Sequence, residues 1–300
     1  MNFLKLRYIT YLISGALLIV SYTSFFTNGF NYGIDFTGGV LIQVKFNKSV
    51  NVEDIRKSLA NEKLGTLTIQ RIGSIKDNLF IIKSKIKKHA NETIDLIKTD
   101  LIKYFGSENV EQPFQRSEMV GPAIGKDLRN LAYLLILISL IAILFYISLR
   151  FQFKFAVASI VALVHDVSIT LGTFSMLHKE INIPIVAAVL TIIGYSLNDT
   201  IVVFDRIREN LKFVKQDGIE NIINRSINST LSRTVITSLT TLLTVLTLYF
   251  LGGTVIHDFA FAFLIGVIVG TYSSIFVASP VVYEWWIASE KKHLRKKSKK

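Results

Sequence analysis

Four residues could do chemistry in surroundings where charge is rare. Asp199 lies in GYSLNDTIVVFDRIREN, residues 194–210, inside a stretch otherwise apolar up to Asp205. Arg233 opens a later apolar run, and His165 and Asp166 sit side by side in a third. A carboxylate at the centre of a bilayer costs roughly 2.5 to 3.5 kcal/mol on insertion scales, so such groups are generally paired, water-facing and functional. Two acids, a histidine and an arginine without a set of metal ligands are what a proton relay is built from. A purely structural ion pair between Asp199 and Arg233, or a structural hydrogen-bond node at His165 and Asp166, would use the same residues. Moving one charge across a membrane exchanges ~2.3 kcal/mol per 100 mV, enough to bias a two-state helix bundle.

No HExxH, P-loop or nucleophile-elbow pattern occurs, so an enzyme has no support in the sequence, and no metal or cofactor is expected. The absence of cysteine excludes disulfides, thiolate metal sites and cysteine nucleophiles.

The elements that position these groups are apolar helices. Half of the 300 residues are hydrophobic. Near-uncharged runs of about 18 residues or more, enough to cross a ~30 Å hydrocarbon core, recur at about Tyr8 to Phe26, Arg129 to Leu149, Phe155 to Leu177, Ile183 to Phe204, Thr234 to Leu251 and Phe259 to Trp286. Six membrane-spanning helices are therefore expected. The first run is longer than a signal-peptide core and lacks a convincing cleavage site, so it reads as a retained anchor.

Lysine and arginine set the orientation. Seventeen occupy one side of the expected topology, from Lys5 and Arg7 to the tail beginning at Lys291, and two, Arg129 and Lys179, occupy short segments on the other. This asymmetry puts both termini in the cytoplasm. The +12 net charge then reads as topology and contact with anionic lipid, not as a nucleic-acid patch, because the basic residues are spread over every inner connection. The expected division is 1–28 for the N-terminus and first span, 29–128 for an external domain, 129–286 for the bundle, with an interfacial helix near 211–232, and 287–300 for a basic cytoplasmic tail.

The external domain reads as strand, helix, strand, strand, helix, strand, a ferredoxin-like βαββαβ order. Val40, Ile42, Val44 and Phe46 alternate as a strand; Val52, Ile55 and Leu59 recur at helical spacing after Asn51, a plausible cap. Strands are expected at Leu64 to Ile72 and Leu79 to Ser84, the second after a Lys76-Asp77-Asn78 turn, then a helix from Glu92 to Phe105 and a last strand near Val110 to Met119. GIDFTGG, residues 33–39, joins the first span to this domain. Its glycines, Gly33, Gly38 and Gly39, around Asp35 permit positive φ or close backbone approach. A tight junction and a direct contact with substrate both fit.

Within the bundle, counting back from Asp205 sets Asp199 roughly 9 Å inside the cytoplasmic end of its helix. Thr191, Tyr195 and Asn198 fall on or near its face, and Arg233 on the next helix can extend toward it. Behind Arg233, Thr234, Thr237, Thr241 and Thr244 form a stripe that could join helices or line a wet path. Gly266, Gly270 and Ser274 give the last helix a small-residue face for close packing. Ile219, Ile222, Ile223 and Ile227, after an Asp217-Gly218 turn, suggest a helix lying in the inner interface or docking on a partner.

The sequence resembles the SecF branch of the SecD/SecF family in the resistance-nodulation-division superfamily. The resemblance rests on GIDFTGG, ALVHDV (162–167), GYSLNDTIVVFDRIREN, SRTVITSLTTLLTVL (232–246) and the six-helix plan. It implies an α-helical integral protein of the bacterial inner membrane, half of a superfamily-type bundle, with an external ferredoxin-like α+β domain between helices 1 and 2. It also implies a complex with SecD beside the SecYEG channel and its accessory subunits. There proton flow would help pull a preprotein outward after the ATP-driven step of SecA. The resemblance gives Asp199 the role of the protonated and released carboxylate, links Arg233 to it, and gives His165 and Asp166 a supporting place. Asn198, Tyr195, Thr237 and Thr241 line the same region. Three other readings use the same features: a self-sufficient exporter of lipids or drugs, a scaffold of the channel complex and, with least support, a membrane enzyme.

Overall fold

A computed structural model describes residues 1–60, 64–85 and 90–297. The chain rises through α1 (Arg7–Thr27), crosses β1 (Asn31–Tyr32) and the one-turn helix α2 (Ile34–Thr37), and enters a mixed head. The head runs β2 (Gly39–Lys45), α3 (Val52–Ser58), β3 (Thr66–Ile72), β4 (Leu79–Lys85), α4 (Ala90–Phe105) and β5 (Arg116–Val120). The bundle follows as α5 (Pro122–Arg150), α6 (Phe153–Met176), the short β6 (Glu180–Ile181), α7 (Ile183–Asn210), α8 (Val214–Leu251), α9 (Gly253–Ser273), a π-helical segment (Ser274–Ala278) and α10 (Ser279–Lys297). Residues 298–300 of the basic tail lie outside the described residues.

The head sheet is antiparallel in the order β3-β4-β2-β5. Alternation in β2 buries Val40, Ile42 and Val44 on one face, where Ile55 of α3, Leu59 just after it, and Ile97 and Leu101 of α4 cover them. Leu41, Gln43 and Lys45 take the other face, which is half-buried. The last strand is shorter than its sequence suggested: Val110 makes a lone bridge to Phe46, and regular pairing begins only at Arg116. The Lys76-Asp77-Asn78 turn forms, with Asn78 in the left-handed region at φ 46°. Asn51 precedes α3 but its side chain makes no capping hydrogen bond.

Five helical stretches of the described residues are long and apolar enough to cross a membrane, one of them the run Ile183–Leu251 that holds both α7 and α8. This is a multi-pass membrane protein. Its central helix is α6, of which 61% of the most apolar window is buried, against 11% for α5. The reason is composition. Ala156, Ala158, Ser159 and Ala162 let neighbours approach α6, whereas α5 presents Leu134, Leu137, Ile138 and Ile141 outward.

Two expectations fail at the connection between α7 and α8. Helix α8 is continuous through Arg233, because no glycine or proline interrupts residues 219–251; the break sits at Gly218, whose φ of 73° stops the helical course. The isoleucine stripe faces neither lipid nor a partner. Ile219, Ile222, Ile223 and Ile227 are buried, and three of them join a core with Phe3, Leu4, Phe204 and Ile207. Asn224 fixes this arrangement by accepting from the Leu4 amide at 3.1 Å and donating to Asn2 Oδ1 at 2.9 Å.

Candidate functional site: a buried acid pair in the helix bundle

The site lies where α6, α7, α8 and α9 meet. Close approach of α7 and α9 comes first. A Cβ on Gly266 would stand 2.3 Å from Ile192 Cγ1, and one on Gly270 would stand 2.9 Å from Ser196 Cβ. Only glycine permits this seam, and the seam puts short polar side chains within reach of buried acids.

Asp166 is fully buried and fully partnered. His165 Nδ1 lies 2.8 Å from its Oδ1, while Ser196 of α7 and Ser273 of α9 donate to Oδ2 at 2.5 and 2.7 Å. One carboxylate thus ties three helices together. The His165 ring stacks on Tyr272, with centroids 6.2 Å apart, and its Nε2 is buried without a partner among the described residues. Ser273 is the last residue before the π-helical segment, where Ser279 closes the wide turn by donating to the Ser274 carbonyl. Such turns are frequently found at functional sites.

Asp199 is also buried, at 3% exposure, but its surroundings are sparser. Ser238 of α8 donates to Oδ2 at a long 3.4 Å and shares a 2.7 Å hydrogen bond with Thr271 of α9. Arg233 is exposed, within Coulombic range of Asp199, and makes no ion pair with it among the described residues. The two side chains are neighbours that do not touch.

The other residues singled out by sequence divide. Thr191 and Asn198 are exposed, and Tyr195 is half-buried against the Phe263 ring. The face that Asp199 shares is Ile192, Ser196 and Val203. Thr237 and Thr241 are half-buried and donate to carbonyls of their own helix, Arg233 and Thr237 respectively, so their hydroxyls neither join helices nor lie free. Thr234 is buried with its hydroxyl unpartnered among the described residues. Ser238 stands alongside the threonine stripe that the spacing shows, whereas Ser196, Thr271 and Ser273 carry no signal of their own in the sequence, although Gly270 on the small-residue face points to a close neighbour. No group of three or more metal-ligating side chains occurs among the described residues.

GIDFTGG is built as a junction. Gly33 opens α2 and its amide donates to the Ile181 carbonyl at 2.8 Å. Asp35 Oδ2 accepts from the Ile183 amide at 3.0 Å. Gly38 has φ 78°, and a Cβ there would stand 2.8 Å from Pro122 Cα; one on Gly39 would stand 2.3 Å from the Ser84 carbonyl oxygen. Beside it, the Tyr32 and Tyr133 hydroxyls are 2.6 Å apart, and burial followed by this hydrogen bond pushes the Tyr32 phenol above its ordinary range.

Two family descriptions match the chain: "Protein export membrane protein SecD/SecF, C-terminal" over residues 100–288, and "SecD/SecF GG Motif" over residues 23–50. The protein translocase subunit SecF of Desulfurispirillum indicum is 46% identical over 99% of this chain and 96% of its own length. That of Vibrio alginolyticus is 43% identical over 98% and 91%. The crystal structure of SecDF from Thermus thermophilus, a translocon-associated membrane protein, superposes with a TM-score of 0.81 at 43% identity, covering 95% of this chain. This chain spans 38% of that longer one. Motifs at both ends of the chain, similarity along nearly its whole length and a shared fold lead to one conclusion: the chain belongs to the SecD/SecF family of protein export membrane proteins.

Proposed function

We propose that this chain is the SecF-type subunit of a bacterial protein translocase and that, with SecD, it uses proton movement past Asp199 to promote outward movement and release of a preprotein at the SecYEG channel, after the ATP-driven step. The fused SecDF relative, in which this chain matches 37% of the length, supports SecD as the partner. On this reading the run Ile183–Leu251 crosses the inner membrane twice, which gives six spans with both termini cytoplasmic. The head, 29–128, is then an external ferredoxin-like domain, consistent with its strand order. The bundle covers 129–286 and the basic tail, 287–300, meets anionic lipid on the inner face.

The observation that carries the reading is the unequal partnering of Asp199. A buried carboxylate with one long hydrogen bond from Ser238, and an arginine near but not touching, can hold a proton in this arrangement and lose it to an ion pair when α7 and α8 shift. Asp166, His165 and their serines form the fixed side of the site. The junction glycines and Asp35 join the head to the bundle so that helix displacement reaches it. The test is preprotein release in vesicles carrying this chain and SecD, with and without a proton gradient. Asp199→Asn is expected to abolish the gradient-dependent part; a variant as fast as the parent overturns the role.

A further inference from the structure

We infer that a two-point strap between the head sheet and the α6–α7 connection docks the head on the bundle, and that Glu180 is the positioning residue that closes it. What the strap transmits rests on the translocase reading; that it docks the head does not.

The two points follow from register. Lys83 and Lys85 are two residues apart in β4, so both side chains leave the same face of the sheet. In the short parallel ribbon of β1 and β6, Asn31 and Glu180 are paired. Lys83 Nζ lies 2.7 Å from Glu180 Oε2, and Lys85 Nζ donates to Asn31 Oδ1 at 2.7 Å. Thr68, the partner of Lys83 across β3 and β4, donates to Glu180 Oε1 at 3.0 Å. Both oxygens of one carboxylate are thereby held by the head. The side chains of Lys83 and Glu180 are only 15% and 9% exposed, so neither keeps a full water shell, and removing one strands the other.

The ribbon is tied to the bundle by the preceding residue. Lys179 Nζ lies 2.6 Å from Asp258 Oδ1 in the head-side end of α9, the helix that carries Thr271 and Ser273 at its other end. Successive residues of one connection therefore grip α9 and the head. A displacement of α9 pulls Lys179, and with it Glu180. Next to the strap lies a polar cleft of about 540 Å³, lined by Thr68, Gln70 and Arg71 on one wall and His178, His257 and Asp258 on the other. A polar boundary of this kind allows its two sides to move, where an apolar one would hold them together.

The chain has no cysteine, so labels can be placed at will. Spin labels at Lys57→Cys on the exposed side of α3 and Met176→Cys at the end of α6 report the distance between head and bundle. The parent is expected to give one narrow distribution. Glu180→Gln should broaden it, Glu180→Asp should broaden it less, and the charge-swapped pair Lys83→Glu with Glu180→Lys should narrow it again. An unchanged distribution in Glu180→Gln, or a swap no better than the single variants, overturns the strap. In the vesicle assay, Glu180→Gln is expected to lower gradient-dependent release several-fold and the swap to recover it. A parent without any gradient-dependent release would remove the translocase reading, and the label distances would still decide the strap.

Discussion

Asp166 and Asp199 are both buried yet unequally held: three side chains bind the first carboxylate, and one hydroxyl at 3.4 Å reaches the second. On the proposed reading, the difference separates a structural acid from a working one. Charge change at Asp166 would break hydrogen bonds on α6, α7 and α9 together. Charge change at Asp199 disturbs a single long contact.

Removing the Asp166 carboxylate should therefore cost stability. Between membrane helices, a hydrogen bond contributes about 0.6 kcal/mol on average and about 1.7 at most, because the unfolded chain also finds partners in the bilayer. Two such bonds cross helices here, from Ser196 and Ser273, and His165 adds a third contact. Asp166→Ala is expected to lose roughly 1 to 3 kcal/mol. Asp199→Asn, which keeps the size and loses at most one weak bond, should lose well under 1 kcal/mol on the same scale. Unfolding of the purified protein in detergent compares the two, and an Asp199→Asn loss as large as that of Asp166→Ala would contradict the assignment.

The α7–α9 seam gives a second prediction, this one about packing. Gly266→Ala drives a methyl group into Ile192, and overpacking of a filled core costs typically about 1 to 3 kcal/mol. Ile192→Ala opens a cavity and costs about 2 to 5 kcal/mol. Together the two changes occupy each other's space, so the double variant should lose clearly less than the sum. Strict additivity in a double-mutant cycle would show that the helices do not meet at these residues.

How far the sequence reached this site depends on which arithmetic was needed. Counting along one helix found Asp199, His165 and Asp166, because charge inside an apolar run needs no partner to be noticed. The face of α7 was a different matter. At about 100° per residue, Tyr195 lies about 40° to one side of Asp199 and Ser196 about 60° to the other, so periodicity alone cannot choose between them. Packing of Gly270 against Ser196, 74 residues away in the chain, makes that choice. The same holds for the isoleucine stripe after Gly218. Its spacing showed an apolar face, and only the tertiary fold supplies Phe3 and Leu4 to cover it. In the head, alternation within β2 and the turn at Asn78 were local and legible, whereas the two-residue strands β1 and β6 are too short to carry a pattern and exist only through each other.

Covering of that stripe predicts a crosslinking result. A photo-reactive side chain at Ile223 should react within the chain, with the segment around Phe3 and Leu4, and a probe at exposed Leu243 of α8 should react with lipid or a partner helix. Predominant lipid adducts from Ile223 would place the helix in the interface after all.

The glycines of GIDFTGG bear on whether the motif holds the junction or touches substrate. Gly38 has φ 78°, which strains any other residue by about 1 to 3 kcal/mol, and its missing Cβ leaves room for the Pro122 backbone at the start of α5. Gly121 nearby has neither constraint: its φ is −68° and no atom stands within 4 Å of a Cβ built there. Gly38→Ala should therefore lower the thermal stability of the purified protein and expose the head to protease, and Gly121→Ala should do neither. A substrate-contact role would reverse the pattern for Gly38→Ala: stability and protease resistance kept, with preprotein release alone reduced. Because Gly38 is walled by α5 while Asp35 caps toward the Ile183 amide of α7, the junction reading further requires that Gly38→Ala broaden the same Lys57 to Met176 label distance that reports the docked head. Stability lost without any change in that distance would confine the damage to α5 and deny the motif a part in setting the head on the bundle.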